Sequence, residues 1–316
     1  MLFSFLLLII GFVLLAVAAD RLVGGAINVA RYYQVSQLLI GVTLVALGTS
    51  LPEMVVGTYA AIYGNPQIAL GNAIGSNIAN IGLVLGLTIL LIPIRIHLSV
   101  LRREFPMLFI VMALASLLMF DGYISRWDGL FLIVIMLLAL VWLVRAAKKN
   151  VILKETLLPA TEEGQISIRR SWFYIILGLI LLPIASHITV DSATNIARYF
   201  GASDLVIGLT LVALGTSLPE LATSIAGARK KHYDLIAGNI LGSNIFNLLI
   251  VLALPAIIRP IPVLNSVLYR DLPVMFFITL LLFGLLYFFR RKGQLGRLEG
   301  CFLIAVYAIY LVILQI

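Results

Sequence analysis

Two glutamates lie deep within apolar sequence, and each ends a motif that the chain contains twice. Residues 40–53 read IGVTLVALGTSLPE and residues 207–220 read IGLTLVALGTSLPE, so Glu53 and Glu220 are 167 residues apart. A second pair of segments keeps this offset: residues 71–80 read GNAIGSNIAN, and residues 238–247 read GNILGSNIFN. Because thirteen of the fourteen positions in the first motif are identical, the pattern indicates gene duplication.

The placement of these glutamates suggests how their charge is neutralised. The other twelve acidic residues fall at the ends of apolar segments or between them. A carboxylate at the centre of a bilayer costs about 2.5 kcal/mol or more unless it has partners or water. No Lys or Arg lies at the depth of Glu53 or Glu220, so we expect protons or bound cations to neutralise the pair.

Hydroxyl and amide side chains share helix faces with the glutamates, because residues four apart lie on one face of a helix. This spacing relates four pairs: Thr49 and Glu53, Thr216 and Glu220, Ser76 and Asn80, and Ser243 and Asn247. Gly48 and Pro52 predict a kinked or interrupted helix with freed carbonyls near residues 46–48. All these donors are oxygens, which suit Na⁺ or Ca²⁺ better than Zn²⁺ or Cu ions. Two carboxylates balance one Ca²⁺ or two Na⁺.

The polar residues are also compatible with roles other than ligation. Small residues at a kink serve helix packing alone in many membrane proteins, but two buried glutamates in duplicated copies argue against that role here. A hydrolase with Ser50 or Ser217 as nucleophile lacks a His or Lys base at that depth, whereas a passive cation channel could use the same residues. We expect the histidines, at span ends, to be surface residues: His97, His187 and His232. Four asparagines fit ligation and interhelical hydrogen bonding equally well: Asn72, Asn77, Asn239 and Asn244.

The composition predicts an all-α polytopic membrane protein. Hydrophobic residues make up 62% of the 316 residues, charged residues only 11%, and the mean hydropathy is +1.12, whereas soluble proteins have roughly a quarter of their residues charged. The continuous apolar runs exclude a membrane barrel, whose strands alternate polar and apolar residues. We predict ten transmembrane helices of about 20 residues, at 1–19, 36–62, 67–92, 105–121, 127–146, 172–192, 203–228, 235–258, 272–289 and 298–315.

The basic residues predict the orientation of these spans. With the N-terminus outside, eighteen of the 22 Lys and Arg residues lie in cytoplasmic connections, as the positive-inside rule requires. Both termini are therefore expected outside, and the net charge of +8 is explained by topology rather than by nucleic acid. No basic n-region precedes the first apolar run, so we expect a membrane helix there, ending near Asp20 and Arg21, instead of a cleaved signal peptide. The single cysteine, Cys301, is expected to serve packing.

The duplication divides the chain into two five-helix repeats, 1–146 with motif segment 40–80 and 172–316 with motif segment 207–247. Residues 147–171 form a polar cytoplasmic linker that is too short for a soluble domain. Because five spans per repeat is an odd number, the second repeat must enter the membrane from the opposite side. Such inverted repeats place the substrate site at the midplane, where the broken helices meet.

The motifs resemble the α-repeats of the cation/calcium exchanger superfamily, in particular prokaryotic sodium/calcium exchangers that lack a regulatory cytoplasmic domain. The resemblance covers essentially the whole chain, with GTSLPE twice and GSNIxN twice. It implies that the spans at 1–19 and 172–192 slide across the bundle to alternate access, and that Glu53 and Glu220 are central ion ligands. It further implies oxygen ligands at Thr49, Ser50, Ser76, Asn80, Thr216, Ser217 and Ser243, and at the carbonyls of Ala46 and Ala213.

One position departs from the family pattern. Asn247 stands where characterised sodium/calcium exchangers commonly have Asp, so the intrinsic charge of the site is limited to −2. The resemblance implies a multi-pass antiporter of the prokaryotic inner (plasma) membrane that exchanges Ca²⁺ for Na⁺, without enzymatic activity or a cofactor. We expect its surroundings to be lipid, with no nucleic acid and no obligate protein partner. The alternative is an H⁺-coupled antiporter that uses the same glutamates, although the hydroxyl ligands favour Na⁺.

Overall fold

The computed structural model describes residues 2–96, 98–151, 167–200, 213–288 and 294–314. Helices, some with π-helical turns, account for most of these residues. The first half contains α1 (Leu2–Tyr32), α2 (Gln37–Ile40), π1 (Gly41–Val45), α3 (Ala46–Thr49), α4 (Leu51–Ile62), α5 (Gln67–Ala79), π2 (Asn80–Leu85), α6 (Gly86–Leu91), α7 (Leu98–Leu117), β1 (Tyr123–Ile124) and α8 (Arg126–Val151). The second half contains α9 (Ile168–Tyr199), α10 (Ala213–Thr216), α11 (Leu218–Arg229), α12 (Tyr233–Phe246), π3 (Asn247–Val251), α13 (Ala253–Ile258), β2 (Ile261–Pro262), π4 (Val267–Asp271), α14 (Leu272–Phe288) and α15 (Arg297–Ile313).

The all-helical membrane architecture is confirmed, and the number of spans stays a prediction. Within the described residues, six helices are long and apolar enough to cross a membrane, and the bent pair Gln37–Thr49 and Leu51–Ile62 is a seventh candidate. The apolar part of α7, Glu104–Leu117, is shorter, and α15 has 17 residues. The span expected at 203–228 begins outside the described residues.

The prediction that the first helix ends near Asp20 and Arg21 is wrong, because α1 continues without a break for 31 residues. Both charged side chains find partners beside the helix. The Asp20 carboxylate lies 3.1 Å from Nζ of Lys230, and the Arg21 guanidinium lies 5.0 Å from the ring centre of Tyr174. The adjacent charged residues Asp20 and Arg21 therefore do not end the helix, because apolar sequence resumes after them.

Helices α1 and α9 pack closely along their lengths. Gly11 of α1 lies directly against Thr189 of α9, and Gly178 of α9 lies against Leu22 of α1. The two contacts correspond under the 167-residue offset. Buried side chains of both helices form most of a hydrophobic cluster, which also includes Val45, Ala226 and Leu235 and is distinct from the larger core. The pair is therefore one packed unit.

Contacts between the two halves also come in corresponding pairs. A Cβ added to Gly129 of α8 would lie 2.9 Å from the carbonyl oxygen of Ala253, and one added to Gly300 of α15 would lie 2.7 Å from that of Gly86. The connections between helices form a second set of corresponding contacts. Strand β1 pairs antiparallel with β2, and the isolated bridge between Ile94 and Leu295 is its counterpart. The halves are thus interlocked by pseudo-symmetric contacts.

Candidate functional site

Each motif helix breaks immediately before its glutamate. Ser50 has φ −84° and ψ 4°, and the helices on its two sides differ in direction by 42°. Ser217 has almost the same conformation, with φ −90° and ψ 3°. The predicted kink is therefore present, and it places Glu53 and Glu220 in the first turns of α4 and α11. The partial positive charge at a helix N-terminus favours a carboxylate there.

The Glu220 carboxylate is held by hydroxyl groups from both halves. Its Oε1 accepts hydrogen bonds from Ser50 Oγ at 3.5 Å and from Ser243 Oγ at 3.4 Å. Its Oε2 is buried without a hydrogen-bond partner, and the residue is 1% exposed. Glu220 thus lies where the two sequence repeats meet, with one oxygen unused.

The Glu53 side chain is equally buried, at 1% exposure, and its Oε2 also has no partner. Its backbone carbonyl accepts a hydrogen bond from Asn72 Nδ2 at 3.4 Å. No Lys or Arg of the described residues pairs with Glu53 or Glu220. The two carboxylates therefore lack the positive partner that a buried ion pair would supply.

The motif threonine joins the two halves. Thr49 Oγ1 lies 3.2 Å from Asn239 Oδ1, to which it donates, and 3.4 Å from Ser243 Oγ. It is also 3.3 Å from the Ala46 carbonyl, which accepts from Ser50 N at 3.0 Å as well. The Ala46 carbonyl is thus satisfied within the protein here, and its role as an ion ligand stays a prediction.

The remaining predicted ligands are less fully defined. Ser76 is buried, and Ser217 Oγ is buried without a hydrogen-bond partner. Thr216 ends α10 and is partly exposed. Ala213 begins that helix, with its side chain outside the description.

Two asparagines begin π-helical turns, which sequence reasoning missed. Asn80 starts π2 and Asn247 starts π3, at the same position of each repeat. Asn80 Nδ2 donates to Asn244 Oδ1 at 3.0 Å, while Asn80 Oδ1 is buried without a partner. Neither polar atom of the Asn247 side chain has a partner, although the residue is 1% exposed. Single π-helical turns often occur at functional sites.

The four asparagines whose role was open all make interhelical or local hydrogen bonds. Asn77 Nδ2 donates to the carbonyl of Asn244 at 3.2 Å, and Asn244 Nδ2 donates to the carbonyl of Asn77 at 3.3 Å. Asn239 Nδ2 donates to Thr223 Oγ1 at 3.1 Å, and Asn72 bonds Glu53 as described above. Hydrogen bonding is therefore observed at all four positions.

Two further acids are buried at positions where the sequence indicated span ends. Glu104 and Asp271 are 5% and 8% exposed and correspond under the repeat offset. Asp271 accepts from Arg270 Nε at 2.8 Å and from Tyr310 Oη at 3.2 Å. A cationic partner thus satisfies Asp271, in contrast to the motif glutamates. Of the three histidines, His187 is exposed, His232 is half-buried and bonded to Gln37, and His97 lies outside the described residues.

The site is a set of buried oxygens from both halves that have no hydrogen-bond partner among the described residues. They are Oε2 of Glu53, Oε2 of Glu220, Oγ of Ser217, Oδ1 of Asn80 and Oδ1 of Asn247. Within the described part of the chain, no group of three or more His, Cys, Asp and Glu residues could hold a metal. Oxygen donors with two carboxylates suit a hard cation that enters and leaves.

Comparison with known proteins identifies the family. The model of the family described as sodium/calcium exchanger protein matches residues 3–145 and 170–315. The chain belongs to the sodium/calcium exchanger family. Members of this exchanger family are secondary transporters, so the protein is a multi-pass membrane cation exchanger with no cofactor, and it is not an enzyme.

Relatives match this exchanger over its full length. It is 41% identical over 320 residues to the inner membrane protein YrbG of Escherichia coli, covering 99% of this chain and 97% of the relative. It is 41% identical over 317 residues to the putative antiporter CaxA of Alkalimonas amylolytica, covering 98% of both. The sodium/calcium exchanger MaX1 of Methanosarcina acetivorans is 30% identical over 346 residues, with 98% of each covered.

Solved structures of the sodium-calcium exchanger NCX_Mj share the fold. The structure soaked with zero Na⁺ and Ca²⁺ has a TM-score of 0.83 and 34% identity, covering 98% of both chains. The structure soaked with 10 mM Na⁺ and 10 mM Sr²⁺ has a TM-score of 0.82 and 34% identity, covering 98% of this exchanger and 97% of that chain. The exchanger fold therefore extends over the whole molecule.

Proposed function

We propose that the protein exchanges Ca²⁺ for Na⁺ across the membrane by alternating access at one site formed by both repeats. The observation that carries this proposal is the pair Glu53 and Glu220, each buried with an oxygen and a charge that no described residue pairs with. Two carboxylates need two positive charges at membrane depth, which either one Ca²⁺ or two Na⁺ supplies. The names of MaX1 as a sodium/calcium exchanger and of CaxA as a putative antiporter support the assignment.

The ligands in this proposal come from equivalent positions of the two repeats. Glu53 and Glu220 bridge the ions, and hydroxyl, amide and carbonyl oxygens complete the coordination. These are the oxygens of Thr49, Ser50, Ser76, Asn80, Thr216, Ser217, Ser243 and Asn247, with the carbonyls of Ala46 and Ala213. Glu220 supports the shared site, because its carboxylate accepts a bond from the other repeat's Ser50.

The proposed topology is ten spans in two inverted repeats, 1–146 and 172–316, joined by a cytoplasmic linker at 147–171. The contacts between connections support it. Six proposed spans separate the connection of Ile94 from that of Leu295, and an even number returns the chain to the same side, as their bridge requires. We place the protein in the prokaryotic inner membrane with both termini outside, and the inner membrane relative YrbG supports the location.

Proton coupling is the second candidate, and Asn247 favours it. A neutral amide at this position leaves only two carboxylates in the site, and two protons neutralise them as well as two Na⁺ do. Proton exchange needs no other ligand, whereas the buried hydroxyls of Ser50 and Ser243 beside Glu220 are oxygens that Na⁺ would use.

The test uses purified protein in sealed liposomes and follows uptake of radiolabelled Ca²⁺. Liposomes loaded with Na⁺ are compared with liposomes loaded with choline, with and without an outward proton gradient. We expect uptake to require internal Na⁺ and to vanish in Glu53→Gln. Thr279→Val, which removes a buried hydroxyl bonded only to its own helix at Met275, is the matched control and should transport normally.

Each other outcome assigns a different function. Uptake driven equally by protons would move the protein to the proton-coupled group. Uptake with neither gradient, and no acceleration of Ca²⁺ release by external Ca²⁺, would indicate a pore. If neither the Na⁺ gradient nor the proton gradient drives Ca²⁺ uptake, Ca²⁺ is not the transported cation.

A further inference from the structure

A reciprocal pair of asparagines lies between the two segments that carry Asn80 and Asn247. Asn77 and Asn244 correspond under the repeat offset, and each donates its side-chain amide to the other's backbone carbonyl, at 3.2 and 3.3 Å. Both are 1% exposed. This pair therefore fixes α5 against α12 across the pseudo-two-fold relation of the repeats.

The repeat relation allows two further hydrogen bonds to this pair, and only one of them is formed. Asn244 Oδ1 accepts from Asn80 Nδ2 at 3.0 Å, which leaves Asn80 Oδ1 free. The corresponding bond would run from Asn247 Nδ2 to Asn77 Oδ1. It is absent, and Asn77 Oδ1 and both polar atoms of Asn247 are buried without partners in the part of the chain that the structure describes. Buried polar atoms without a hydrogen-bond partner are unfavourable. The side chains of Asn247 and Asn77 therefore have a hydrogen bond available to them that is not formed.

One local difference between the halves accompanies the asymmetry. Asn77 Nδ2 lies 3.6 Å from the sulfur of Met275 on α14, to which it donates. The equivalent of Met275 in the first half is Leu108, which has no acceptor for Asn244. Asn77 therefore has a contact that Asn244 cannot make.

We propose that Asn77 and Asn244 are positioning residues that turn the side-chain oxygens of Asn247 and Asn80 toward the transported cation, and that the Asn247–Asn77 bond forms when a cation occupies the site. This inference rests on the proposed function, in which Asn80 and Asn247 are ligands. An amide presents either an oxygen or an NH₂ group to its surroundings, and only the oxygen attracts a cation. Binding the NH₂ group to a fixed acceptor selects the oxygen, as supporting residues orient ligands at metal sites.

The pairing also gives a reason for Asn at position 247. Asn77 offers an acceptor to this position, because its own NH₂ group is used on the Asn244 carbonyl. An amide can donate to that acceptor, whereas an ionised carboxylate only accepts. The chemistry at 247 thus depends on Asn77, a residue outside the proposed ligand set.

The experiment measures the KM for Ca²⁺ and the maximal exchange rate in liposomes for wild type, Asn77→Leu, Asn247→Leu and the double variant. We expect Asn77→Leu to raise KM about tenfold or more while the maximal rate per folded protein is nearly unchanged. Asn247→Leu should raise KM too, and adding Asn77→Leu to it should have little further effect. The pair Asn244→Leu and Asn80→Leu is the matched comparison, and should be coupled in the same way.

A second variant keeps the inference testable if Asn77→Leu does not fold. Asn77→Asp also loses the donor to the Asn244 carbonyl, but it keeps an acceptor for Asn247. We expect it to recover a lower KM than Asn77→Leu when Asn is at 247, and to give no recovery in the Asn247→Leu background.

Equal effects of Asn77→Leu with either residue at 247, or a loss of maximal rate at constant KM, would overturn the inference and leave a structural role for Asn77. Equal recovery by Asn77→Asp in both backgrounds would also overturn it. Wild type separates the two proposals: no Ca²⁺ exchange by wild type removes the proposed function and this inference with it. If wild type exchanges Ca²⁺ but the effects of the substitutions at 77 and 247 are independent of each other, this inference fails and the proposed function stands.

Discussion

The motif glutamates differ from the buried acid Asp271 in what surrounds them. Asp271 has Arg270 and Tyr310 as partners, whereas Glu53 and Glu220 each keep an oxygen that nothing in the described protein satisfies. A structural role is expected to come with a permanent partner, because removing one costs stability. Free carboxylate oxygens in both repeats fit a partner that comes and goes.

Glu220→Gln tests this interpretation at the residue that both repeats contact. Glutamine keeps the shape and one acceptor for Ser50 and Ser243, but it removes the negative charge. We expect Ca²⁺ exchange in liposomes to fall by about two orders of magnitude or more, with the protein still folded, because losing even a supporting partner of a metal ligand costs about 10- to 100-fold. Exchange at the wild-type rate would contradict a charge requirement. Asp271→Asn, at the acid with permanent partners, should alter thermal stability more than KM for Ca²⁺.

At this scale the sequence predicted the two glutamates correctly as buried, because repetition and depth in an apolar run are local signals. It did not predict the burial of Asp271, since its partner Tyr310 is 39 residues away. Nor could it predict the unequal surroundings of Asn80 and Asn247, because both residues end the same GSNIxN motif. A contact of Asn77 with Met275 on α14 accompanies that difference.

At the scale of helices, breaks with a chemical cause were predictable and others were not. Pro52 and Gly48 predicted the bend of 42° in the first motif helix. The π-helical turns at Asn80 and Asn247 contain no proline, so the local sequence did not predict them. The end of α1 was misplaced, because Asp20 is stabilised by Lys230, more than 200 residues away.

The α1–α9 pair gives a test of the proposed movement. Lys230 follows the last residue of α11 and contacts Asp20 on α1, so sliding of α1 with α9 must change the distance between Asp20 and Lys230. In a Cys301→Ser background, we expect a bifunctional methanethiosulfonate reagent that joins Asp20→Cys to Lys230→Cys through disulfides to stop exchange, and a reductant to restore it.

The control joins α1 to α9 with the same reagent. Arg21 and Tyr174 are neighbours within the pair, so linking Arg21→Cys to Tyr174→Cys should leave exchange intact. If the Asp20–Lys230 link leaves the exchange rate unchanged, α1 does not slide past α11 during transport.

At the scale of the whole molecule, pseudo-symmetric contacts lock the halves together. The β1–β2 pair and the Ile94–Leu295 bridge correspond, as do the contacts at Gly129 and Gly300. In each case an element of one half packs against the other half, so neither half is complete alone. The sequence predicted the duplication, but these long-range pairings could not be derived from either copy.

Inverted repeats place these two strand pairings on opposite sides of the membrane, which thiol labelling can test. Arg95 is exposed beside the Ile94–Leu295 bridge, and Asp121 is exposed beside β1. In the Cys301→Ser background, we expect an impermeant maleimide to label Asp121→Cys in intact spheroplasts. Arg95→Cys should be labelled only after permeabilisation, because its connection belongs to the side that holds eighteen of the 22 basic residues.

Labelling of both positions from the same side would contradict the inverted arrangement, because the two pairings would then share one face. Labelling of Arg95→Cys alone in intact spheroplasts would keep the inversion and reverse the orientation. Since exchange through a two-fold site depends on the halves facing opposite ways, only the expected pattern agrees with both the charge distribution and the interlocked connections.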